Sequence, residues 1–332
     1  MRYAPRTVRS LLLAIALVGC SASPMATPRL AAVTPEPAAS DAYRPRPTRR
    51  QSVRYELNGL RFPLPIVEGT IAGKPVLMLV DTGANAHVIA GWMARKLGLP
   101  MKKLGDVGTD HVGKTITAYR IEAPAIALNE WGPLAAGPVL ATEVPEAIER
   151  LGIGAFLSPQ QLVEDGDAVV FDLVKRELRA AWWDEALFGL SASGTPLVLG
   201  GQGRACVETD GPIRGLSFVV PASVAGHRVD LLVDTGAQHS DVFATSAAGL
   251  ALGAQSVPNR EPMFTAAGKI VVRKLTNATV SAGRFAIQSD VDLIAGAGDE
   301  SCPRDGVLAM DVLHACSLLL GRTRFYASCA TK

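Results

Sequence analysis

Short apolar runs alternate along this chain with clusters of turn-forming residues, the pattern of β-strands joined by tight connections. One run occurs twice. Residues 72–84 read AGKPVLMLVDTGA and residues 225–237 read AGHRVDLLVDTGA, with nine of thirteen positions identical at a constant offset of 153. In each copy Ala-Gly marks a turn, the apolar stretch has the length of a buried strand, and Asp-Thr-Gly ends it. Gly113-Lys114 then recurs as Gly268-Lys269, each followed by a β-branched run. LGIGAFL at 151–157 sits where the second half has GVLAMDVL at 306–313, and each leads into a strand–turn–strand pattern, AVVFDLVKRELRAAW or CSLLLGRTRFYASC. Four landmarks in one order predict two copies of a unit of about 130 residues. Helical stretches are brief: 91–97 and 158–164 in the first copy, 244–252 and 310–315 in the second. The chain reads as mainly β, two similar lobes with a short helix or two in each.

Composition supports a large aliphatic core: 48% of the 332 residues are hydrophobic, 19% are charged and only 5% are aromatic. The whole chain carries +2, but eight arginines against Glu36 and Asp41 give the first fifty residues +6, so the remainder carries −4. A mildly acidic body gives no reason to expect a nucleic-acid partner. The N-terminus reads as a targeting segment. Arg2, Arg6 and Arg9 precede an apolar stretch at 10–18 that is too short to span a bilayer. Leu17-Val18-Gly19-Cys20 resembles the bacterial lipobox, which implies cleavage before Cys20, acyl chains on that residue and export as a lipoprotein. Ser21 after the cysteine implies the outer membrane in a Gram-negative host. Residues 20–50, rich in Pro, Ala and Arg, lack apolar periodicity and read as a disordered tether. The expected organisation is signal 1–19, tether 20–50, first lobe 51–190, linker 191–203 and second lobe 204–332.

The other cysteines are Cys206, Cys302, Cys316 and Cys329. An even number in an exported chain predicts two disulfides with three possible connectivities. The favoured pairing is Cys302–Cys316, closing a short loop, with Cys206–Cys329 joining the ends of the second half.

An aspartate placed directly after a buried apolar run is either hydrogen-bonded structurally or held for chemistry. One Asp-Thr-Gly is a weak signal. Two in the same extended context are strong, because a pseudo-twofold arrangement would bring Asp81 and Asp234 face to face. Two adjacent carboxyls share one proton, so one can act as base on a water while the other acts as acid.

At LMLVDTGA and its copy DLLVDTGA, and at the later apolar-Gly motifs, the chain resembles the aspartic proteases of the retroviral, retropepsin-like type over roughly residues 60–330. The resemblance implies two pseudo-symmetric β-barrel lobes in one chain, with a catalytic cleft between them. It implies catalytic Asp81 and Asp234, reciprocal hydrogen bonds from Thr82 and Thr235, and room for water and substrate at Gly83, Ala84, Gly236 and Ala237. The implied partner is an extended polypeptide, cut by a monomer without cofactor or metal. Two departures stand out: Ala155 where an Asp is usual, and Ala309 where a Gly is usual. Flap candidates are residues 108–115 and 264–269. The alternative reading is a silent two-lobed module that binds a peptide without cutting it.

Other features carry less. His87, His111 and His239 match no metal-ligand spacing and read as structural or surface residues. No G-x-S-x-G elbow supports serine hydrolase chemistry, and Gly200-Gly201-Gln202-Gly203 lacks the Lys-Ser/Thr of a phosphate loop. Trp92, Trp131, Trp182 and Trp183 read as packing residues.

Overall fold

A hairpin opens each half of the folded body. Leu60–Ile71 pairs antiparallel with Lys74–Val80, and Gly215–Val224 pairs likewise with His227–Val233. The repeated Ala-Gly makes both turns: Ala72 and Gly73 have φ of 49° and 73°, and Ala225 and Gly226 have φ of 46° and 84°. Two successive left-handed residues form the two-residue turn whose twist matches the flanking strands. These relationships come from a computed structural model that describes residues 47–109, 115–163, 167–196, 203–208, 215–259, 263–265, 268–296 and 302–330. The signal segment, Cys20, nearly all of the tether and His111 lie outside the described residues, as do parts of the linker and of both flap candidates.

The second strand of each hairpin is then enclosed in the same way. Ile153–Leu157 runs parallel to Lys74–Val80, and Gly306–Leu308 runs parallel to His227–Val233. Val88–Ala90 lies antiparallel to Ile153–Leu157 and parallel to Val139–Thr142. Its counterpart Asp241–Phe243 lies antiparallel to Gly306–Leu308 and parallel to Phe285–Ile294. Identical pairing order in the two halves is the structural form of the sequence repeat. Each strand that ends in Asp-Thr-Gly is interior to its sheet, which is why it is apolar on both faces.

A third sheet joins the halves. Its order is Arg50–Ser52, Glu177–Ala181, Ala168–Asp172, Cys316–Gly321, Phe325–Cys329 and Thr195–Pro196. The junction is the antiparallel ladder from Ala168↔Gly321 to Asp172↔Ser317, and Val169, Val170, Phe171, Leu318, Leu319 and Leu320 along it are fully buried. Pro45–Lys332 is accordingly one compact unit. Fold class therefore follows the expectation: mainly β, with two pseudo-symmetric lobes and short helices.

The expected helices occur as Gly91–Lys96, the 3-10 turn Pro159–Leu162, Ala247–Gly253 and Met310–Leu313. Two were missed, the short Glu146–Arg150 and the longest one, Trp183–Ser193. The latter packs Trp183, Ala186 and Leu190 against Ala168, Val170 and Leu319 of the joining sheet. It escaped sequence reading because its apolar residues do not form one stripe: Phe188 on the same helix is 79% exposed. Trp131 and Trp183 are buried, as packing residues should be.

The disulfides correct the favoured pairing. Cys206 bonds Cys302, and Cys316 bonds Cys329. Cys316 and Cys329 are directly opposed in the hairpin of Cys316–Gly321 and Phe325–Cys329, with Cα atoms 3.9 Å apart. The turn between these strands sets that register and leaves Cys302 free to meet Cys206, on the strand Arg204–Glu208.

Candidate active site

Each aspartate is delivered by its central strand and fixed by its parallel neighbour. The Asp81 N–H donates to Leu157 O at 2.9 Å, and the Asp234 N–H donates to Leu308 O at 3.0 Å. The carboxylates then fold back on their own turns. Asp81 Oδ1 accepts from the N–H groups of Gly83 (2.8 Å) and Ala84 (3.0 Å). Asp234 Oδ1 accepts from Gly236 (2.7 Å) and Ala237 (3.1 Å).

The threonines lock the two turns together. The Thr82 N–H donates to Thr235 Oγ1 at 3.1 Å, and the Thr235 N–H donates to Thr82 Oγ1 at 3.0 Å. Each hydroxyl also donates across the junction at 2.8 Å, Thr82 to Val233 O and Thr235 to Val80 O. Both threonines are fully buried, so these bonds are formed away from water. The glycines face the opposite acid. A Cβ on Gly83 would stand 2.5 Å from the carboxyl carbon of Asp234, and one on Gly236 would stand 2.5 Å from that of Asp81.

The two carboxyls are thus brought together at the junction, each against the opposite loop's glycine. Burial, and then the charge of Asp234, raise the Asp81 pKa well above the usual carboxylate range. Asp234 itself is 9% exposed. A pair of this kind holds one proton between two oxygens and titrates as a unit.

Behind the turns the landmark alignment needs correction. Since Leu157 and Leu308 play the same part, Ser158 corresponds to Ala309 and Gln160 to Asp311; Ala155 is not the counterpart of the aspartate. Both corresponding residues brace their loops. Gln160 Nε2 donates to Thr82 O (3.1 Å), Ala84 O (2.8 Å) and Leu216 O (2.8 Å), reaching from its own loop into the second half. Asp311 accepts from Ser240 Oγ (2.7 Å), the Ser240 N–H (3.1 Å) and Ser289 Oγ (2.7 Å). Sequence reasoning missed Gln160, Ser240 and Ser289. Matching the repeat at the residues that follow each parallel strand would have found the first.

The aspartyl protease family model matches residues 67–150 and 220–312, one match to each half of the repeat and more than half of the chain. The chain belongs to the aspartyl protease family. Among solved structures it is similar to basic 7S globulin from soybean, at 9% identity over 84% of this chain and 94% of that one, with a TM-score of 0.44. No curated protein matches it.

Within this aspartyl protease the halves are not chemically equal. Asp241 and Asp292 are register partners, 1% and 4% exposed, where the first lobe pairs Val88 with Leu140. Burial raises the pKa of both; the charges of Asp234 and Asp292 raise Asp241 further, whereas Lys274 and His239 oppose the shift at Asp292. The flap candidates fall on two hairpins, Lys102–Thr109 with Thr115–Ile121 and Met263–Thr265 with Gly268–Ile270. The residues between the paired strands lie outside the described ones. Among the described residues no group of three or more His, Cys, Asp or Glu is placed to hold a metal ion.

Proposed function

We propose that this aspartyl protease is an active endopeptidase that cuts extended polypeptide with the Asp81–Asp234 pair. The observation that carries the reading is the paired-acid geometry: two turns locked by the buried Thr82 and Thr235, with each carboxyl set against the other loop's glycine. The pair holds one proton between its two carboxyls. The protonated carboxyl hydrogen-bonds the scissile carbonyl as the tetrahedral adduct forms. The ionised one takes a proton from the attacking water, and the leaving nitrogen then receives one from the pair. Gly83 and Gly236 leave the space over the acids in which water and carbonyl react. Both halves of the site come from one chain, so a monomer suffices.

The same proposal includes export and anchoring. Two disulfides fit an oxidising compartment. No helix among the described residues is long and apolar enough to cross a membrane. Lipid on Cys20, in the motif that resembles a lipobox, is the proposed attachment, with the body in the cell envelope. The test is digestion of a broad peptide library by the full chain beside Asp81→Asn and Asp234→Asn. Cleavage by the unaltered protein and its loss in each variant is expected. Retained cleavage in either variant rules out a shared dyad, and peptide binding without turnover at acid and neutral pH identifies a silent binding module instead.

A further inference from the structure

One peptide group in each lobe receives its catalytic strand on one side and a side chain on the other. In the second lobe, the peptide joining Leu308 to Ala309 accepts the Asp234 N–H at its carbonyl (3.0 Å). Its N–H donates to Ser240 Oγ (2.9 Å). In the first lobe, the peptide joining Leu157 to Ser158 accepts the Asp81 N–H (2.9 Å) and donates to His87 Nδ1 (3.1 Å). His87 stands 153 positions before Ser240, the offset that also relates the two aspartates. The lobes have solved one positioning problem with a hydroxyl and with an imidazole.

The difference matters because a hydroxyl accepts a hydrogen bond at any ordinary pH. An imidazole Nδ1 accepts only while the ring is neutral; the protonated ring has N–H at both nitrogens. We propose that His87 is a proton-sensitive positioning residue: its neutral ring holds the peptide that seats Asp81, and protonation of the ring releases that seat while the second lobe stays braced. The inference rests on the proteolytic reading only for its effect on turnover.

The surroundings keep the ring neutral. The residue is half-buried at the cavity wall, and desolvation by the packing around the ring lowers its pKa to about 4. The cavity beside it, about 170 Å³, is lined by Trp131, the 134–139 segment, Gln161 and Leu162, none of which titrates. Arg49, from the segment ahead of the first strand, is the charged residue lining the same cavity among the described residues, and its guanidinium donates to Pro133 O at 3.2 Å. Ser158 is fully buried, so its N–H has no water to turn to when the acceptor is lost.

The test follows the His87 ring nitrogens and the Ser158 and Asp81 amides of the full chain by NMR as pH falls from about 7 to about 3. The expected neutral form carries its proton on Nε2. The ring titrates near pH 4, and both amides shift at the same midpoint. In His87→Ser, which copies the second lobe, that component of the amide shifts is lost. Where peptide cleavage is detected, the acid limb of kcat moves to lower pH with KM little changed. A proton on Nδ1, a ring that titrates near the ordinary histidine value, or amides that ignore the ring overturns the proposal, as does an unmoved acid limb in a folded His87→Ser. Should that variant not fold, the unaltered protein's titration decides alone. Absence of any cleavage by the unaltered protein counts against the endopeptidase, and the amide titration then decides the role of His87 by itself.

Discussion

Thr82 and Thr235 each donate a backbone N–H to the other's hydroxyl, at 3.1 and 3.0 Å, so neither turn is complete without the opposite half. Thr82→Val removes the donor to Val233 O and the acceptor of the Thr235 N–H in one step. Each buried group left unpaired costs about 1–3 kcal/mol. Thr82→Ser keeps both bonds and is expected to lose much less stability. Urea unfolding of the two variants checks this. Equal losses would mean that the methyl packing matters and the hydroxyl does not.

Gly83 answers to the same geometry from the other side. A side chain there would stand 2.5 Å from the Asp234 carboxyl carbon, closer than any real contact, so Gly83→Ala must push the acids apart. Misplacing reacting groups by about 1 Å is expected to lower kcat roughly a hundredfold. The fold has other supports, so the thermal midpoint should fall far less than activity. A Gly83→Ala variant with near-normal kcat would show that the carboxyls need not touch.

The acid pair also makes stability depend on pH. The Asp81 pKa is raised in the folded protein, so above about pH 4, the unfolded value, the folded state holds a proton that the unfolded state has released. Stability is therefore greatest at acid pH and falls as pH rises through the raised value. Asp81→Asn lacks this loss. Its thermal midpoint should exceed that of the unaltered protein at neutral pH and converge with it on acidification, although the variant lacks an acid that the proposed mechanism needs. A constant difference across pH would remove Asp81 as the group responsible.

The disulfides should contribute unequally. Cys206 and Cys302 are 96 positions apart and Cys316 and Cys329 only 13, so the first closes much the larger loop in the unfolded chain. Loop-closure entropy assigns about 4–5 kcal/mol to the former and about 3 kcal/mol to the latter. Denaturant unfolding of the two double Cys→Ser variants gives the comparison. A larger loss from the Cys316–Cys329 removal would point to native packing in the joining sheet as the main source of stabilisation.

What the sequence made legible follows from what repeats in it. The strand that carries Asp81 has local identity with the one that carries Asp234, so the pair, the threonines and the glycines could be named without coordinates. The joining sheet could not, since nothing in AVVFDLVKRELRAAW or CSLLLGRTRFYASC says that Ala168 will lie beside Gly321. The cysteine pairing failed for the same reason: it depends on strand register. Gln160 and His87 were hidden in another way. They do in the first lobe what Asp311 and Ser240 do in the second with different chemistry, so searching for the same residue type at the repeat position passes over them.

The second lobe's own departure gives the last prediction. Asp241 and Asp292 are buried register partners on parallel strands where the first lobe pairs Val88 with Leu140, and Asp241 also feels the charge of Asp234. With the Asp241 pKa raised well above its unfolded value, the folded protein carries no ionisation penalty from this residue below about pH 4 and loses stability as pH rises through the raised value. Asn at 241 keeps the shape of the side chain and cannot ionise. Asp241→Asn is therefore expected to be stabilising at neutral pH, on the order of 1 kcal/mol, and indistinguishable from the unaltered protein at the acid end. Thermal unfolding across the pH range measures the difference. A variant less stable at every pH would mean that the carboxylate is held by partners strong enough to offset its burial.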